Sequence, residues 1–412
     1  MHTTHSTASQ PVTRWSAVAV ALLAGVIAAG HVGKLPPALP AIRAELALDI
    51  VTAGWLASMF SATGMLIAIF LGAIADRLDH WRLSIAGLAL MAASGFYGSL
   101  VSSAPQLIFS RFLEGVGFLA VVVAAPAIIA RAASGRDRSM ALGFWPGYMP
   151  SGVSLMILAA PFALQAGGWR SLWIDVAMLA AAGAAVMWAF GRGARGHRTP
   201  DSGVPLWQNI RSGISRSGPW LVGGCFALYG AQLYAIITWM PTFMIEERGI
   251  GAAAAAALTA LVVAGNGVCN FFGGWLLHRG ATPWAMIALS GAVMAVCAFG
   301  TFTIYIPDLA RYISSLVLCG AGGIIASAAF AIAPSFAKSS AQIGIVNGVL
   351  VQASNLAQFV GPTALAAEVS RTGRWESALW AMVGINVLLI LLAMLVHRQE
   401  LLVQSPAKKL PV

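Results

Sequence analysis

Two ionisable residues stand three positions apart in the middle of a long apolar stretch of this chain. Arg111 and Glu114 belong to the segment that runs from residue 106 to residue 130. Residues with this spacing share one face of a helix and can form an ion pair. The neighbouring guanidinium favours the carboxylate, whereas burial favours the protonated acid. The pair indicates either a structural ion pair or a group that binds and releases protons.

A second pair of ionisable residues with the same spacing lies in the first apolar stretch. His31 and Lys34 stand near its far end. Lys34 could extend its long side chain to the aqueous interface, or it could face an internal cavity. If Lys34 and Arg111 face the same cavity, that cavity is positively charged and suits a small organic anion such as a carboxylate. Ionisable groups inside a membrane cost roughly 2.5–3.5 kcal/mol each on insertion scales, and they usually face the bundle interior.

The segments that carry these residues are too apolar for a soluble protein. Charged residues make up 9% of the 412 residues, hydrophobic residues 59%, and the mean hydropathy is +0.81, whereas soluble proteins carry about 25% charged residues. Apolar stretches of roughly 20 residues, enough for a helix to cross the hydrocarbon layer, alternate with polar breaks. They lack the alternation typical of barrel strands. We therefore predict an all-α membrane protein with spans at 14–37, 50–73, 83–103, 106–130, 139–165, 170–190, 219–245, 254–277, 283–306, 308–334, 342–367 and 375–397.

The Lys and Arg residues are distributed unevenly between the predicted loops. If the N-terminus is cytoplasmic, sixteen of the 24 lie on the cytoplasmic side and six lie outside. The positive-inside rule then predicts a multi-pass protein of the plasma membrane, here a bacterial inner membrane, with both termini cytoplasmic. The same asymmetry explains the net charge of +10, so we expect no nucleic-acid partner.

The chain resembles a duplication of six spans. Gly115-Val-Gly117 in span four has a counterpart in Gly320-Ala-Gly322 of span ten, and the tryptophan before span six, Trp169, has one before span twelve, Trp375. Parallel repeats of six helices, with the substrate site between them, are typical of one large class of transporters. We predict an N-terminal six-helix bundle at 1–190, a cytoplasmic linker at 191–218, and a C-terminal bundle with a short cytoplasmic tail at 219–412.

Two motifs resemble those of the major facilitator superfamily. The loop after span two matches the family's signature at Gly72, Asp76, Arg77 and Arg82, and Arg111 precedes Gly115-Val-Gly117 with the family's spacing. The resemblance implies a fold of twelve transmembrane helices in two pseudo-symmetric six-helix bundles, with a substrate site between the halves and alternating access. It implies that the span-two loop latches the two halves, although its charges could also serve membrane topology alone.

The same resemblance extends the list of candidate site residues. In this family spans one, four, seven and ten line the cavity, so Tyr229 and Gln232 of span seven join the candidates. The substrate and proton pathway that we predict comprises His31, Lys34, Arg111, Glu114, Tyr229 and Gln232.

Three functions remain open. The first is a proton-coupled symporter, a permease that takes up a small organic solute. The second is a proton-linked exporter of drugs or metabolites, because Gly143, Gly147 and Gly152 partly match the family's antiporter motif. The third is a transporter-like sensor or a membrane-embedded enzyme. The sequence contains no phosphate-binding loop for ATP, and we expect no enzymatic activity, cofactor or metal. The expected partners are a small-molecule substrate, a proton and the lipid bilayer, and we expect a monomer.

Overall fold

The computed structural model describes residues 12–74, 79–134, 137–191, 206–303, 305–337 and 340–404, and within these ranges the regular structure is helical. Fifteen α-helices are described. They are α1 (Trp15–Gly33), α2 (Leu35–Glu45), α3 (Ile50–Ser58), α4 (Ala62–Ile74), α5 (His80–Leu100), α6 (Ala104–Ala132), α7 (Arg138–Gly143), α8 (Tyr148–Gly191), α9 (Leu206–Ile214), α10 (Ser217–Glu246), α11 (Ala252–His278), α12 (Pro283–Phe302), α13 (Asp308–Ile332), α14 (Ser340–Thr372) and α15 (Ala378–Gln404).

Ten helical segments of the described ranges are long and apolar enough to cross a membrane by length and composition. One of them, Met140–Gly191, has 52 residues and makes two crossings, because the backbone leaves helical geometry at Gly167 and Gly168. Gly168 has a φ of 71°, a left-handed conformation that glycine adopts without steric cost. With α14 as a further crossing of 33 residues, the fold has twelve transmembrane helices in two six-helix bundles.

The first crossing is longer than the sequence pattern predicts. Helix α1 continues almost without interruption into α2, which ends at Glu45 rather than near residue 37. Pro36 and Pro37 occupy the first turn of α2, where the missing amide hydrogens cost nothing because those donors have no partner within the helix. The polar and proline-rich stretch therefore continues a helix instead of ending it. Asp49 then starts α3, since its side chain accepts a hydrogen bond from the Thr52 amide at 2.6 Å.

Helices of each half pack mainly on one another. Helix α5 packs on α6 and α8 and α1 packs on α8 in the first half; α10 packs on α14, α11 on α13, and α12 on α13 and α15 in the second. The halves meet where α3 and α4 pack on α14, where α8 packs on α11, and where α2 packs on α10. We call the end of the bundle that carries α9 the linker face and the opposite end, where α2 and α10 end, the distal face. The exact boundary between the two bundles stays a prediction.

Close helix packing depends on small residues, and Gly115 of α6 shows this most clearly. A Cβ atom at this position would lie 1.9 Å from the backbone oxygen of Phe60. A side chain there would push α6 away from the segment that joins α3 and α4. Small residues that bring backbones together are the usual device for packing helices in a membrane, where the hydrophobic effect does not drive helices together.

Part of the predicted signature loop lies outside the described residues. Asp76 and Arg77 belong to that part, and Gly72 lies near the end of α4. Asp79, which replaces the family's glycine, caps α5 by accepting hydrogen bonds from the amides of Trp81 and Arg82. The Arg82 side chain is exposed and lies 3.5 Å from the Asp79 carboxylate. The structure therefore gives Asp79 a local role in starting α5, and the latch remains a prediction.

Candidate functional site

Four ionisable side chains meet inside the first half. His31, Lys34, Arg111 and Glu114 are all at most 1% exposed, and we call them the buried charge cluster. His31 and Lys34 share one face of the first crossing, and Arg111 and Glu114 share the facing side of α6. The spacing of three residues within each pair follows from the sequence, whereas the meeting of the two pairs follows from the packing of α1 on α6.

The Glu114 carboxylate holds this cluster together. One oxygen, Oε1, accepts a hydrogen bond from Lys34 Nζ at 2.5 Å and lies 3.5 Å from His31 Nδ1. The other oxygen, Oε2, pairs with Arg111 Nη1, which also donates to the His31 carbonyl oxygen at 2.8 Å. The predicted pair of Arg111 and Glu114 is thus present, and Lys34 joins it. Lys34 has no exposed surface, so the structure excludes the alternative in which its side chain extends to the aqueous interface.

Two aromatic rings complete the surroundings of the two cations. Lys34 Nζ lies 4.4 Å from the centroid of the Trp173 ring, and Arg111 Cζ lies 4.6 Å from that of Phe60. Aromatic faces attract cations, and the attraction grows when water is excluded. The rings therefore help to keep the positive charge of Lys34 and Arg111 inside the protein.

The cluster carries an excess of positive charge and of hydrogen-bond donors. Lys34 and Arg111 face the single carboxylate of Glu114, which gives a formal charge of +1 when His31 is neutral. Two buried nitrogens, Arg111 Nε and His31 Nε2, have no hydrogen-bond partner within the described part of the chain. Buried polar groups normally have partners, so this charge and these donors indicate a site that can accept an anion.

Arg111 also lines a small cavity between the two halves. The cavity measures about 20 Å³, enough for about one water molecule. The first half contributes Phe60 and Ser61, and the second contributes Tyr234, Thr238 and Gln358. At this size the cavity has no room for an organic solute.

The two predicted site residues of α10 do not join the cluster. Tyr229 accepts a hydrogen bond from Asn266 Nδ2 at 3.0 Å, and Asn266 also donates to the Cys319 carbonyl at 2.6 Å. Gln232 exchanges two amide hydrogen bonds with Asn386, at 2.8 and 3.1 Å. Both side chains are buried, and the contacts described tie them to other helices of the second half.

Three residues near the cluster escaped the sequence prediction. Trp173 and Phe60 contact the cations, and Tyr234 lines the cavity between the halves. A tryptophan or phenylalanine in a membrane helix is ordinary, so composition gave no signal for the first two. Tyr234 lies five residues from Tyr229, which places the two on different faces of α10; only the rotation of the helix in the structure shows which of them faces the other half.

Hydrogen bonds and an ion pair join the halves around the small cavity. Arg43 Nη1 donates to Glu246 Oε1 at 2.7 Å at the distal face. Deeper in the bundle, Ser61 donates to Gln358 Oε1 at 3.0 Å, and a bond of 2.7 Å links the hydroxyls of Ser58 and Thr363. The contact between Arg43 and Glu246 joins α2 to α10, so the distal face is closed in this state.

Neither metal nor disulfide chemistry is indicated where the structure describes the chain. In these ranges no group of three or more His, Cys, Asp or Glu side chains could hold a metal ion. The four cysteines, Cys225, Cys269, Cys297 and Cys319, are free thiols in helices. The buried charge cluster is accordingly the site whose chemistry we pursue.

Comparison with known proteins agrees with this architecture. A profile of the Major Facilitator Superfamily matches residues 21–362. The chain is 24% identical over 335 residues to the 3-(3-hydroxy-phenyl)propionate transporter of Escherichia coli (strain K12), covering 78% of each chain. It is 23% identical over 348 residues to the nitrite extrusion protein of Bacillus subtilis (strain 168), covering 82% of this chain and 83% of that protein.

A solved structure shares the fold. It is that of a bacterial homologue of the human lysosomal transporter Spinster in an inward-facing, unoccupied conformation, with a TM-score of 0.78 and 16% identity over 95% of this chain and 98% of the other. The fold has twelve helices in two bundles, the family profile matches most of the length, and the relatives are transporters. The chain therefore belongs to the Major Facilitator Superfamily, a family of membrane transporters.

Proposed function

We propose that this protein is a secondary active transporter that takes up a small organic monocarboxylate together with a proton. The observation that carries the proposal is the buried charge cluster, in which Glu114 joins Lys34 and Arg111 without any exposure to solvent. Two buried cations that share one carboxylate provide a site for a second carboxylate, and the shared carboxylate provides a site for a proton.

The proposed transport step is an exchange of carboxylates. In the empty site the Glu114 carboxylate bridges Lys34 and Arg111. An incoming organic carboxylate takes its place beside the two cations, and Glu114 takes up a proton and becomes neutral. The site then holds two cations and one anion both before and after loading. Because removing one partner from a buried ion pair costs about 3–5 kcal/mol, keeping this balance lets the loaded and empty sites reorient at similar cost.

His31 is placed to pass the proton to Glu114. Its Nδ1 lies 3.5 Å from both Glu114 Oε1 and Lys34 Nζ. Imidazole gains and loses protons near neutral pH and serves widely as a proton shuttle. In the proposal His31 receives the proton from the aqueous side and Glu114 holds it while the substrate is bound.

Alternating access supplies the path for both solutes. The cavity beside Arg111 is too small for an organic acid, so the halves must separate to load it. Two contacts between the halves must break and re-form as the site faces one side and then the other. They are the contact of Arg43 with Glu246 and that of Ser61 with Gln358. Rocking of one bundle against the other around a fixed central site is the general mechanism for repeated transporter folds.

Charge distribution supports the orientation that goes with this proposal. The linker face carries the Arg-rich loops and is assigned to the cytoplasm, and the distal face is assigned to the outside of the plasma membrane. Both termini are then cytoplasmic, and the linker at 191–218 joins two bundles at 1–190 and 219–412. The chain acts as a monomer in this proposal, because each chain carries a complete cluster.

The substrates for which two relatives are named support an anionic substrate. One relative is named for 3-(3-hydroxy-phenyl)propionate, a carboxylate, and another for nitrite. Both are monovalent anions of the charge that the cluster can balance. The first relative guides the substrate class that we propose here, an aromatic or short-chain monocarboxylate.

A specific observation also favours a second candidate, proton-linked export. The nitrite relative is named an extrusion protein and is matched over 82% of this chain. The cluster and the carboxylate exchange would be the same, and only the direction of net flow would differ.

Transport by the purified protein in proteoliposomes tests the proposal. Labelled 3-phenylpropionate, its neutral amide and a labelled amine of similar size are offered with and without an imposed pH gradient, acidic outside. We expect accumulation of the acid that depends on the gradient and exceeds that in protein-free liposomes, with little protein-dependent transport of the other two. Preference for the amine or the amide would contradict the proposal, and expulsion of preloaded acid in cells under the same gradient would select export.

A further inference from the structure

The second half contains a larger cavity that is separate from the central site. Its volume is about 280 Å³, and it opens toward the distal face between α10, α11, α12, α13, α14 and the turn that precedes α15. We call it the C-half cavity. Its walls are mostly apolar and aromatic and include Trp239, Phe243, Leu258, Phe302, Leu365 and Trp375.

The C-half cavity and the central cavity lie on different faces of α10. Tyr234 and Thr238 face the first half at the central cavity. Ala235, Ile236 and Trp239 line the C-half cavity. No residue lines both cavities, so a ligand in the C-half cavity does not contact the buried charge cluster.

The size of the C-half cavity suits a compact ligand. A dry apolar cavity of about 150 Å³ can hold one benzene molecule, so 280 Å³ accommodates an aromatic ring with a short side chain. The lining residues of α10 run from Ala235 to Met244, a length of about 14 Å at 1.5 Å per residue. That is shorter than one leaflet of the bilayer, about half of the ~30 Å hydrocarbon layer, so a full lipid acyl chain does not fit.

Positive charge lies at the open end of the C-half cavity. Arg311 is only 6% exposed, and its Nε donates to the Thr301 carbonyl at 3.2 Å. Arg248 and Arg311 share one oxygen of Asp308, at 3.2 and 3.5 Å. Two guanidinium groups against one carboxylate leave a net charge of +1 among the ionisable residues that line the cavity, and a guanidinium matches the planar geometry of a carboxylate.

From this combination we propose that the C-half cavity binds a free amphiphilic monocarboxylate. Its carboxylate lies between Arg248 and Arg311, and its aromatic or medium-chain body lies between Trp239 and Trp375. The exposed mouth at Asp308 gives the ligand access from the distal side, which our orientation places outside the cell. The ligand only binds at this site, and the proposal does not depend on the transport mechanism proposed for the central cluster.

Photolabelling of the full-length protein in nanodiscs tests this proposal. The probe is 3-phenylpropionate with a diazirine on its ring, and labelled peptides are identified by mass spectrometry. We expect labels on the segment around Trp239 and Phe243 of α10 and around Leu309 of α13, competed by 3-phenylpropionate and octanoate but not by 3-phenylpropanamide. Equal competition by the amide would overturn recognition of the carboxylate. Competition by palmitate alone would assign the cavity to a lipid and overturn the free acid.

Variants separate the C-half cavity from the central site. Arg248→Gln, whose guanidinium is partly exposed, should weaken labelling about tenfold, as expected for one lost charge-assisted hydrogen bond. Leu258→Trp should block labelling by filling the cavity, which keeps the test open if Arg248→Gln fails to fold. Arg374→Gln, at the same face but paired with Glu376, should label normally. Normal labelling of Leu258→Trp, or loss of labelling in Arg374→Gln equal to that in Arg248→Gln, would overturn the proposal.

Discussion

The two halves of this protein share a fold but differ in what they bury. In the first half, α6 contributes Arg111 and Glu114 to a cluster of ionisable groups. Counting back from the shared Gly-x-Gly, the corresponding residues of α13 are Leu316 and Cys319. The second half places a neutral amide pair in its interior instead, Gln232 with Asn386.

This difference suggests a division of labour between the duplicated bundles. A buried amide pair is satisfied by its own hydrogen bonds and has no charge to balance. A buried cluster of two cations around one carboxylate can hold a bound anion instead when that carboxylate takes up a proton. In our proposal the first half therefore holds the substrate carboxylate and the proton, whereas the second half closes over them. The predictions below test this asymmetry, beginning with the largest effect.

Loss of Arg111 should have the largest effect. Arg111→Ala removes a buried cation that contacts Glu114 and His31. We expect a destabilisation of about 3–5 kcal/mol, typical of a broken buried pair, and no measurable uptake of 3-phenylpropionate. The matched control is Arg371→Ala, which breaks a pair of the same spacing with Glu368 at the surface and should leave stability nearly unchanged, because solvent screens exposed pairs. Thermal unfolding in detergent and proteoliposome uptake measure both effects; normal uptake by Arg111→Ala would remove the cluster from the mechanism.

The next largest effect is expected at equivalent glycines of the two halves, whose replacement by alanine should destabilise the protein by different amounts. Gly115→Ala places a Cβ atom 1.9 Å from the rigid backbone oxygen of Phe60, whereas Gly320→Ala meets the Cys269 Sγ at 3.0 Å. A side-chain atom can move and a helix backbone moves less, so we expect a cost of about 1–3 kcal/mol for Gly115→Ala and a smaller one for Gly320→Ala. Gly274→Ala, with open space around it, is the neutral control. Melting temperatures in one detergent rank the three, and a reversed order would contradict the tighter packing at Gly115 than at Gly320.

A smaller effect is expected at the contact that closes the distal face. Arg43→Gln removes the partly exposed ion pair with Glu246, which contributes up to about 1 kcal/mol. The population of the open state should rise by up to about fivefold, seen as faster labelling of a cysteine introduced beside Glu246. Exchanging the two charges, Arg43→Glu with Glu246→Arg, should restore slow labelling. Slow labelling in Arg43→Gln itself would show that this pair does not hold the face closed.

The smallest effect is expected in the neutral pair of the second half. Replacing both members, Gln232→Met with Asn386→Leu, removes two amide hydrogen bonds worth about 0.6 kcal/mol each in a membrane protein. Removing both partners leaves no unsatisfied group, so stability should change by about 1 kcal/mol and uptake by less than about twofold. A selective rise in KM for 3-phenylpropionate would instead make Gln232 a substrate-binding residue, as the family resemblance predicts.

Local spacing made part of this site predictable from the sequence. Arg111 and Glu114 pair within one helix, and three residues of separation suffice to predict that. The turn between the fifth and sixth crossings could also be predicted from the sequence, because Gly167 and Gly168 interrupt an apolar run. The twelve crossings follow from hydropathy, since each span is a long and mostly apolar stretch of the sequence.

Tertiary packing determines which helices bring their polar residues together, and residue spacing within one helix does not predict that. Lys34 meets Glu114 across 80 residues of sequence, and an apolar helix surface gives no sign of which face turns inward. The same uncertainty explains why Gln232 points to Asn386 while Tyr234 lines the central cavity. The predicted end of the first span at residue 37 is wrong, because Pro36 and Pro37 fit the first turn of α2 and the helix continues to Glu45.

Counterflow and proton-driven uptake by Glu114→Gln test the division of labour most directly. Glutamine resembles the protonated acid, so the variant should still exchange labelled for unlabelled 3-phenylpropionate across proteoliposome membranes. Under a pH gradient it should accumulate no more of the acid than protein-free liposomes do. Glu368→Gln, which alters only the pair with Arg371, should retain both activities. Accumulation by Glu114→Gln that responds to the gradient as the wild type does would contradict a proton site at Glu114.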